Sequence, residues 1–122
     1  MKRLLLAAAL LLPTPAFADS LDVIQVKLKS TCNLTTYMGI VADFNTSWGK
    51  AHGYNARIAV PLHSSDLTII SWLGTTANAE TFGKAWDSWR DSLRDANSTA
   101  AKLQARFSDC SDNVTRRSYD VF

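Results

Sequence analysis

Over LDVIQVKLK, residues 21–29, apolar and polar side chains alternate, with Ile24, Val26 and Leu28 on one side and Gln25, Lys27 and Lys29 on the other. A period of two with one apolar side predicts a half-buried strand. Past Cys32 the period lengthens. Leu34, Tyr37, Val41, Phe44 and Trp48 recur at steps of three or four, which predicts a helix. Asn33 stands where a cap accepts a backbone N–H, and Gly49 and Gly53 end the run. Alternation returns in YNARIAVPLH, residues 54–63, with Tyr54, Ala56, Ile58, Val60 and Leu62 sharing a side. Pro61 has no N–H to give a neighbour, so this strand belongs at a sheet edge.

The short stretch SSD, residues 64–66, predicts a hairpin into LTIISWLGT, residues 67–75, where Ile69, Ile70, Trp72 and Leu73 make both sides apolar. Such a strand is central and covered on both faces. ANAETFGKAWDSWRDSLRDAN, residues 77–97, places Phe82, Trp86, Trp89, Leu93 and Ala96 on a helical stripe. The opposite side carries Lys84, Asp87, Arg90, Asp91, Arg94 and Asp95, a solvated face whose i,i+3 ion pairs each contribute a few tenths of a kcal/mol, roughly. STAAKLQARF, residues 98–107, reads as a shorter capped helix, and VTRRSYDVF, residues 114–122, as a final strand. The order strand, helix, strand, strand, helix, short helix, strand is that of a ferredoxin-like α+β sandwich with a four-stranded antiparallel sheet.

The chain opens MKRLLLAAALLLPTPAFADS: two basic residues, an apolar run from Leu4 to Leu12, two prolines, then Ala16-Phe17-Ala18 before Asp19. That order predicts a signal peptide over residues 1–18 and a single ferredoxin-like domain over residues 19–122, exported to the periplasm or secreted. The run is too short to span a bilayer, so no membrane attachment is expected after cleavage. Without Lys2 and Arg3 the basic residues number 13 − 2 = 11 against 11 acidic ones. A balanced charge with no basic patch excludes nucleic acid as the expected partner.

Export also interprets the cysteines. Cys32 and Cys110 are the two in the chain, and disulfides persist in oxidising compartments. In a ferredoxin-like order the last strand lies beside the first, which puts Cys32, just past the first strand, next to Cys110, just before the last. A disulfide between them is expected. The histidines His52 and His63 lack the spacing of a ligand pair and there is no CxxC, so no metal site is expected.

Two helices on one side of the sheet leave the other side open. Gln25, Arg57, Ile70, Trp72, Arg116 and Ser118 are the residues expected there, a mixed apolar and charged surface suited to packing on a second subunit around a small ligand. In this the chain resembles the dimeric α+β-barrel proteins, among them antibiotic-biosynthesis-monooxygenase-like, haem-degrading and NIPSNAP-like domains. The stretch TIISWLGTTANAETFGKAWDSW carries the resemblance, a strand ending in tryptophan followed by a helix opening. It implies a homodimer whose sheets meet face to face. Haem-degrading members use a histidine on the second helix, an asparagine on the first strand and a tryptophan near the end of the third. Here Ala85 or Trp86 occupies the helix position and Gln25 the first-strand position, and Trp72 alone fits, so no cofactor is expected.

Neither a GxSxG turn, paired carboxylates nor a glycine-rich phosphate loop is present, and no catalytic residue is assigned. His63 is a candidate general base, and Arg57, His63, Trp72 and Arg116 are the candidate ligand contacts. His52 is placed to meet the carbonyls at a helix end, while Trp48, Trp86 and Trp89 belong to core stripes. Two functional readings follow. The first is an exported homodimer that binds a small apolar or aromatic ligand. The second is a cofactor-independent monooxygenase-like enzyme acting on an aromatic substrate.

Overall fold

The structure, a computed structural model, describes residues 19–122; the expected signal peptide lies outside the described residues. Strand β1 (Asp19–Leu28) leads to helix α1 (Leu34–Ser47), a single 3-10 turn (Gly49–His52), β2 (Asn55–Ala59) and β3 (Ile69–Thr76). Helices α2 (Ala79–Ser92) and α3 (Thr99–Cys110) follow, and β4 (Ser111–Val121) ends the chain. The sheet order is β2-β3-β1-β4, antiparallel throughout, the ferredoxin-like arrangement expected from the element order.

The local chemistry fixes each boundary. Asn33 caps α1 by accepting the Thr36 N–H at 2.9 Å, and Asn78 and Ser98 cap α2 and α3 in the same way. Gly53 turns the chain out of the 3-10 turn with φ 64°, a left-handed conformation that favours glycine. β2 sits at an edge, as Pro61 requires, but it stops at Ala59, and residues 60–68 form a longer connection than a three-residue hairpin. Pro61 ends the ladder, and Leu62 is left 85% exposed instead of joining the apolar side. α2 ends at Ser92 rather than continuing to Asn97, because Ser98 accepts the Ala101 N–H and donates to the Ser92 carbonyl, starting a new helix. α3 then runs to Cys110, and β4 begins at once.

The three helices cover one face of the sheet. Ser20, Asp22 and Val26 of β1, Ile70, Trp72, Gly74 and Thr76 of β3 and Ala56 of β2 are buried beneath them. Tyr37, Ile40, Val41 and Phe44 of α1, Ala85 and Trp89 of α2, and Ala100 and Leu103 of α3 meet this face. On the open face Leu21, Val23, Ile69 and Leu73 are half-buried, so within one chain β3 is covered on one side, not two. The exposed side of α2 carries the expected ion pair Asp87–Arg90, and Asp91 at its end pairs with Arg94 just beyond it.

The disulfide joins Cys32 and Cys110, which are 78 positions apart in sequence, with Cα atoms 5.0 Å apart. It ties the end of β1 to the start of β4, where the Lys29 N–H also donates to the Cys110 carbonyl at 2.9 Å. Loop-closure entropy for a ring of this size corresponds to roughly 4 to 5 kcal/mol, an upper figure for such a link. The double variant Cys32→Ala/Cys110→Ala is therefore expected to lose about 2 to 4 kcal/mol of unfolding free energy in a urea titration, with the denaturant slope altered by the freed unfolded chain. A loss below about 0.5 kcal/mol would show that the link does not constrain the unfolded ensemble.

Candidate functional site

Antiparallel partners in register share a face, and this locates the residues that the sequence left ambiguous. Ile24 of β1 is paired with both Trp72 and Arg116, and Asp22 with Ser118. Trp72, Arg116, Ser118 and Ile70 therefore face the helices, not the open side where they were expected. The reason in β3 is that apolar residues occupy both parities, and the larger indole takes the side the helices can bury. In β4 the reason is a β-bulge: the register shifts between Gln25 and Val26, leaving Val114 as the extra residue. Gln25 and Arg57 do lie on the open face. His63 lies in the connection between β2 and β3, exposed and apart from the others.

Beneath the helices is a cavity of about 400 Å³. Phe44, Trp48, Tyr54, Trp72, Phe82, Trp86, Trp89 and Phe107 wall most of it, with Ile24, Val26 and Leu93 completing the apolar lining. The rings interlock edge to face, Phe44 lying 4.9 Å from Trp72 and Trp48 4.9 Å from Trp89 between centroids. Such contacts hold the walls in place beyond the gain from burial alone. His52 braces the outside: it stacks on Trp48 at 4.1 Å, its Nδ1–H donates to the Trp48 carbonyl at 2.8 Å, and Nε2 meets Ser88 Oγ at 3.0 Å.

One corner of the cavity is polar. Asp22, wholly buried, accepts from Arg116 through Nε at 2.9 Å and Nη2 at 2.6 Å, and from the Tyr54 hydroxyl at 2.9 Å. The Trp72 indole N–H donates to that hydroxyl at 2.9 Å, so four side chains from all four strands or their flanks form one chain of hydrogen bonds. Arg116 also lies over the Trp86 ring at 4.0 Å from its centroid. Gly74 makes this possible. A Cβ there would stand 1.7 Å from the Tyr54 hydroxyl, so the bare backbone is what lets the phenol cross β3 to reach Asp22. Gln104, Ser111 and Asn113 make a second polar rim toward the end of α3.

Burial, reinforced by the Asp22 charge, pushes the Tyr54 phenol far above its ordinary range. Burial likewise pushes Tyr37 up to about 12, a hydrogen bond with Ser111 partly opposing it. Among the described residues, no group of three or more His, Cys, Asp or Glu side chains comes together to hold a metal ion. No helix of the described residues is long and apolar enough to cross a membrane.

No protein-family model and no curated protein matches the sequence. Solved structures do match in fold. SnoaB, a cofactor-independent oxygenase from Streptomyces nogalater, superposes with a TM-score of 0.57 at 7% identity, covering 86% of this chain and 94% of that one. A conserved protein from Methanosarcina mazei gives 0.59 at 14% identity over 88% and 96% of the two chains. The hydroxynitrile lyase of Passiflora edulis gives 0.55 at 15% identity over 88% and 96%. At these identities the likeness establishes the ferredoxin-like fold.

The sequence reading included Trp72 and Arg116 and missed Asp22 and Tyr54, their partners. A signal for Asp22 was present: it is a carboxylate at a core-facing position of an alternating strand, two residues before Ile24. Gly74→Ala is expected to displace Tyr54, uncouple it from Asp22 and Trp72, and destabilise the fold by about 2 to 4 kcal/mol, read by urea unfolding; an unchanged midpoint would show that the approach of the phenol is dispensable. The tyrosines give a pH signature. Their folded pKa values lie above the unfolded value of 10.0, so the folded state keeps protons that the unfolded state gives up. Their contribution is full below pH 10 and falls by about 1.4 kcal/mol per pH unit for each as pH rises above that. Tyr54→Phe is expected to shallow this alkaline loss by one group, measured as unfolding free energy against pH.

Proposed function

We propose that the protein is an exported homodimer that binds a small aromatic or apolar molecule in the cavity between its sheet and its helices. The carrying observation is the cavity itself, about 400 Å³ walled by aromatic rings and closed at one corner by Arg116, Asp22, Tyr54 and Trp72. Mostly apolar walls with a few convergent polar groups are the ordinary makeup of small-molecule sites. Rings in the wall offer faces and edges to a flat guest, and the corner gives it an orientation. The ligand site of this reading is lined by residues of one chain, while the open face has a different task. Leu21, Val23, Ile69 and Leu73 form an apolar strip there, which supports burial against the same strip of a second copy. The leader-like N-terminus and the disulfide support export.

A second reading is cofactor-independent oxygenation of an aromatic substrate held in the same cavity. It is favoured by a buried carboxylate and a buried phenol on the cavity wall. Both Asp22 oxygens are already engaged by Arg116 and Tyr54, so binding is the better-supported reading, and catalysis requires Asp22 to exchange a partner.

Ile24→Trp tests the cavity, because Ile24 lies on its floor between Trp72 and Arg116. With naphthalene as probe and tryptophan fluorescence as readout, the variant is expected to abolish binding that the natural protein displays. Unchanged affinity in a folded variant would move the site elsewhere, the open face included. The dimer has its own test. Leu73→Lys is expected to convert dimer to monomer in analytical ultracentrifugation, and a natural chain that sediments as a monomer at high concentration would refute the pairing. Oxygen uptake with a hydroxylated aromatic substrate, lost in Trp72→Ala, is the expected outcome of the second reading.

A further inference from the structure

Asn113 and Arg116 both line the cavity, although they stand three positions apart on one strand. In an unbroken strand an odd spacing sends side chains to opposite faces. The bulge at Val114 removes the contradiction: Asn113 is paired with Val26 and Arg116 with Ile24, and both of these β1 residues point to the helix side. A bulge that re-aims a side chain toward a site has a geometric effect that a plain sheet could not produce. Arg116, meanwhile, spends Nε and Nη2 on Asp22, and its remaining N–H groups are free to donate. Its charge is already matched by a carboxylate that is wholly buried, and that carboxylate repels a second anion.

From this we infer that the cavity selects uncharged, flat aromatic molecules that carry an amide or carbonyl group, held at two points by Arg116 and Asn113, with Val114 as the positioning residue. The inference rests on the cavity reading above and specifies its ligand class. Arg116, its guanidinium seated on the Trp86 ring, donates to the carbonyl oxygen, and the Asn113 amide supplies both a donor and an acceptor. A carboxylate of the same shape meets the same donors but pays for the proximity of Asp22 in a partly desolvated corner.

The test uses three probes of one skeleton, naphthalene, naphthamide and naphthoate, titrated at neutral pH against the full disulfide-bonded protein with tryptophan fluorescence as readout. Naphthamide is expected to bind about tenfold more tightly than naphthalene and at least about tenfold more tightly than the isosteric naphthoate. Asn113→Ala, at an exposed position that the fold tolerates, is expected to weaken naphthamide about fivefold and leave naphthalene unchanged. Asp22→Asn removes the matching charge and is expected to invert the preference toward naphthoate. Equal affinity for all three probes keeps the cavity as a binding site and overturns the selection. A natural protein that prefers naphthoate, or an Asn113→Ala variant with unaltered naphthamide affinity, also overturns it. Failure of every probe, naphthalene included, brings down the cavity reading itself. If Asp22→Asn does not fold, the probe ranking in the natural protein and the Asn113→Ala result decide the matter.

Discussion

Asp22 is wholly buried near the middle of β1, and a carboxylate taken out of water costs several kcal/mol, roughly, unless its oxygens are hydrogen-bonded and its charge is matched. Much of the surrounding sequence answers that requirement. Arg116 matches the charge through two nitrogens, Tyr54 supplies a hydroxyl, and Trp72 in turn donates to that hydroxyl. Gly74 withholds a side chain so that the phenol can pass. Replacing Asp22, Arg116 or Tyr54 leaves at least one desolvated group without its partner, so the four are best understood as a single unit rather than as separate bonds.

The same unit explains why the site has a definite shape. A core of Phe44, Trp48, Trp72, Trp89 and Phe107 is built from flat, rigid pieces that meet at steep angles, as with Trp72 and Phe107 at 83°. The space between them is lined by the faces and edges of these rings. The polar corner prevents the rings from closing over that space, because Asp22 and Arg116 are held to the sheet and cannot follow an inward collapse.

Much of the fold was legible because each element obeys a local rule. The alternation in LDVIQVKLK, the caps at Asn33 and Ser98, and Pro61 at an edge all carry their meaning within a few residues, and the strand order then brought Cys32 to Cys110. The site was less legible, since it depends on parity. In IISWL both sides are apolar, so nothing local says whether Trp72 or Leu73 faces the helices. In β4 the bulge at Val114 changes parity midway, and NVTRRS contains no glycine or proline to announce it. The two residues that the sequence analysis brought forward and the cavity contains, Trp72 and Arg116, were thus chosen for their chemistry and assigned to the wrong side. Asp22 went unremarked because the alternation of its strand is complete without it, and Tyr54 was read only as one more apolar position of its strand.

The pairing of Asp22 with Arg116 also imposes an order in time. The two residues are separated by 94 positions, and β1, although second from the edge in the finished sheet, is the first strand to be made. Its neighbour β4 is the last. A chain growing from its N-terminus therefore carries a strand whose central carboxylate has no counter-charge until nearly every other residue exists. Until then Asp22 favours water over the core, and β1 is held back from premature burial. Completion of the fold is thereby linked to completion of the chain, and a molecule cut short before β4 is left with an acid where its core should be.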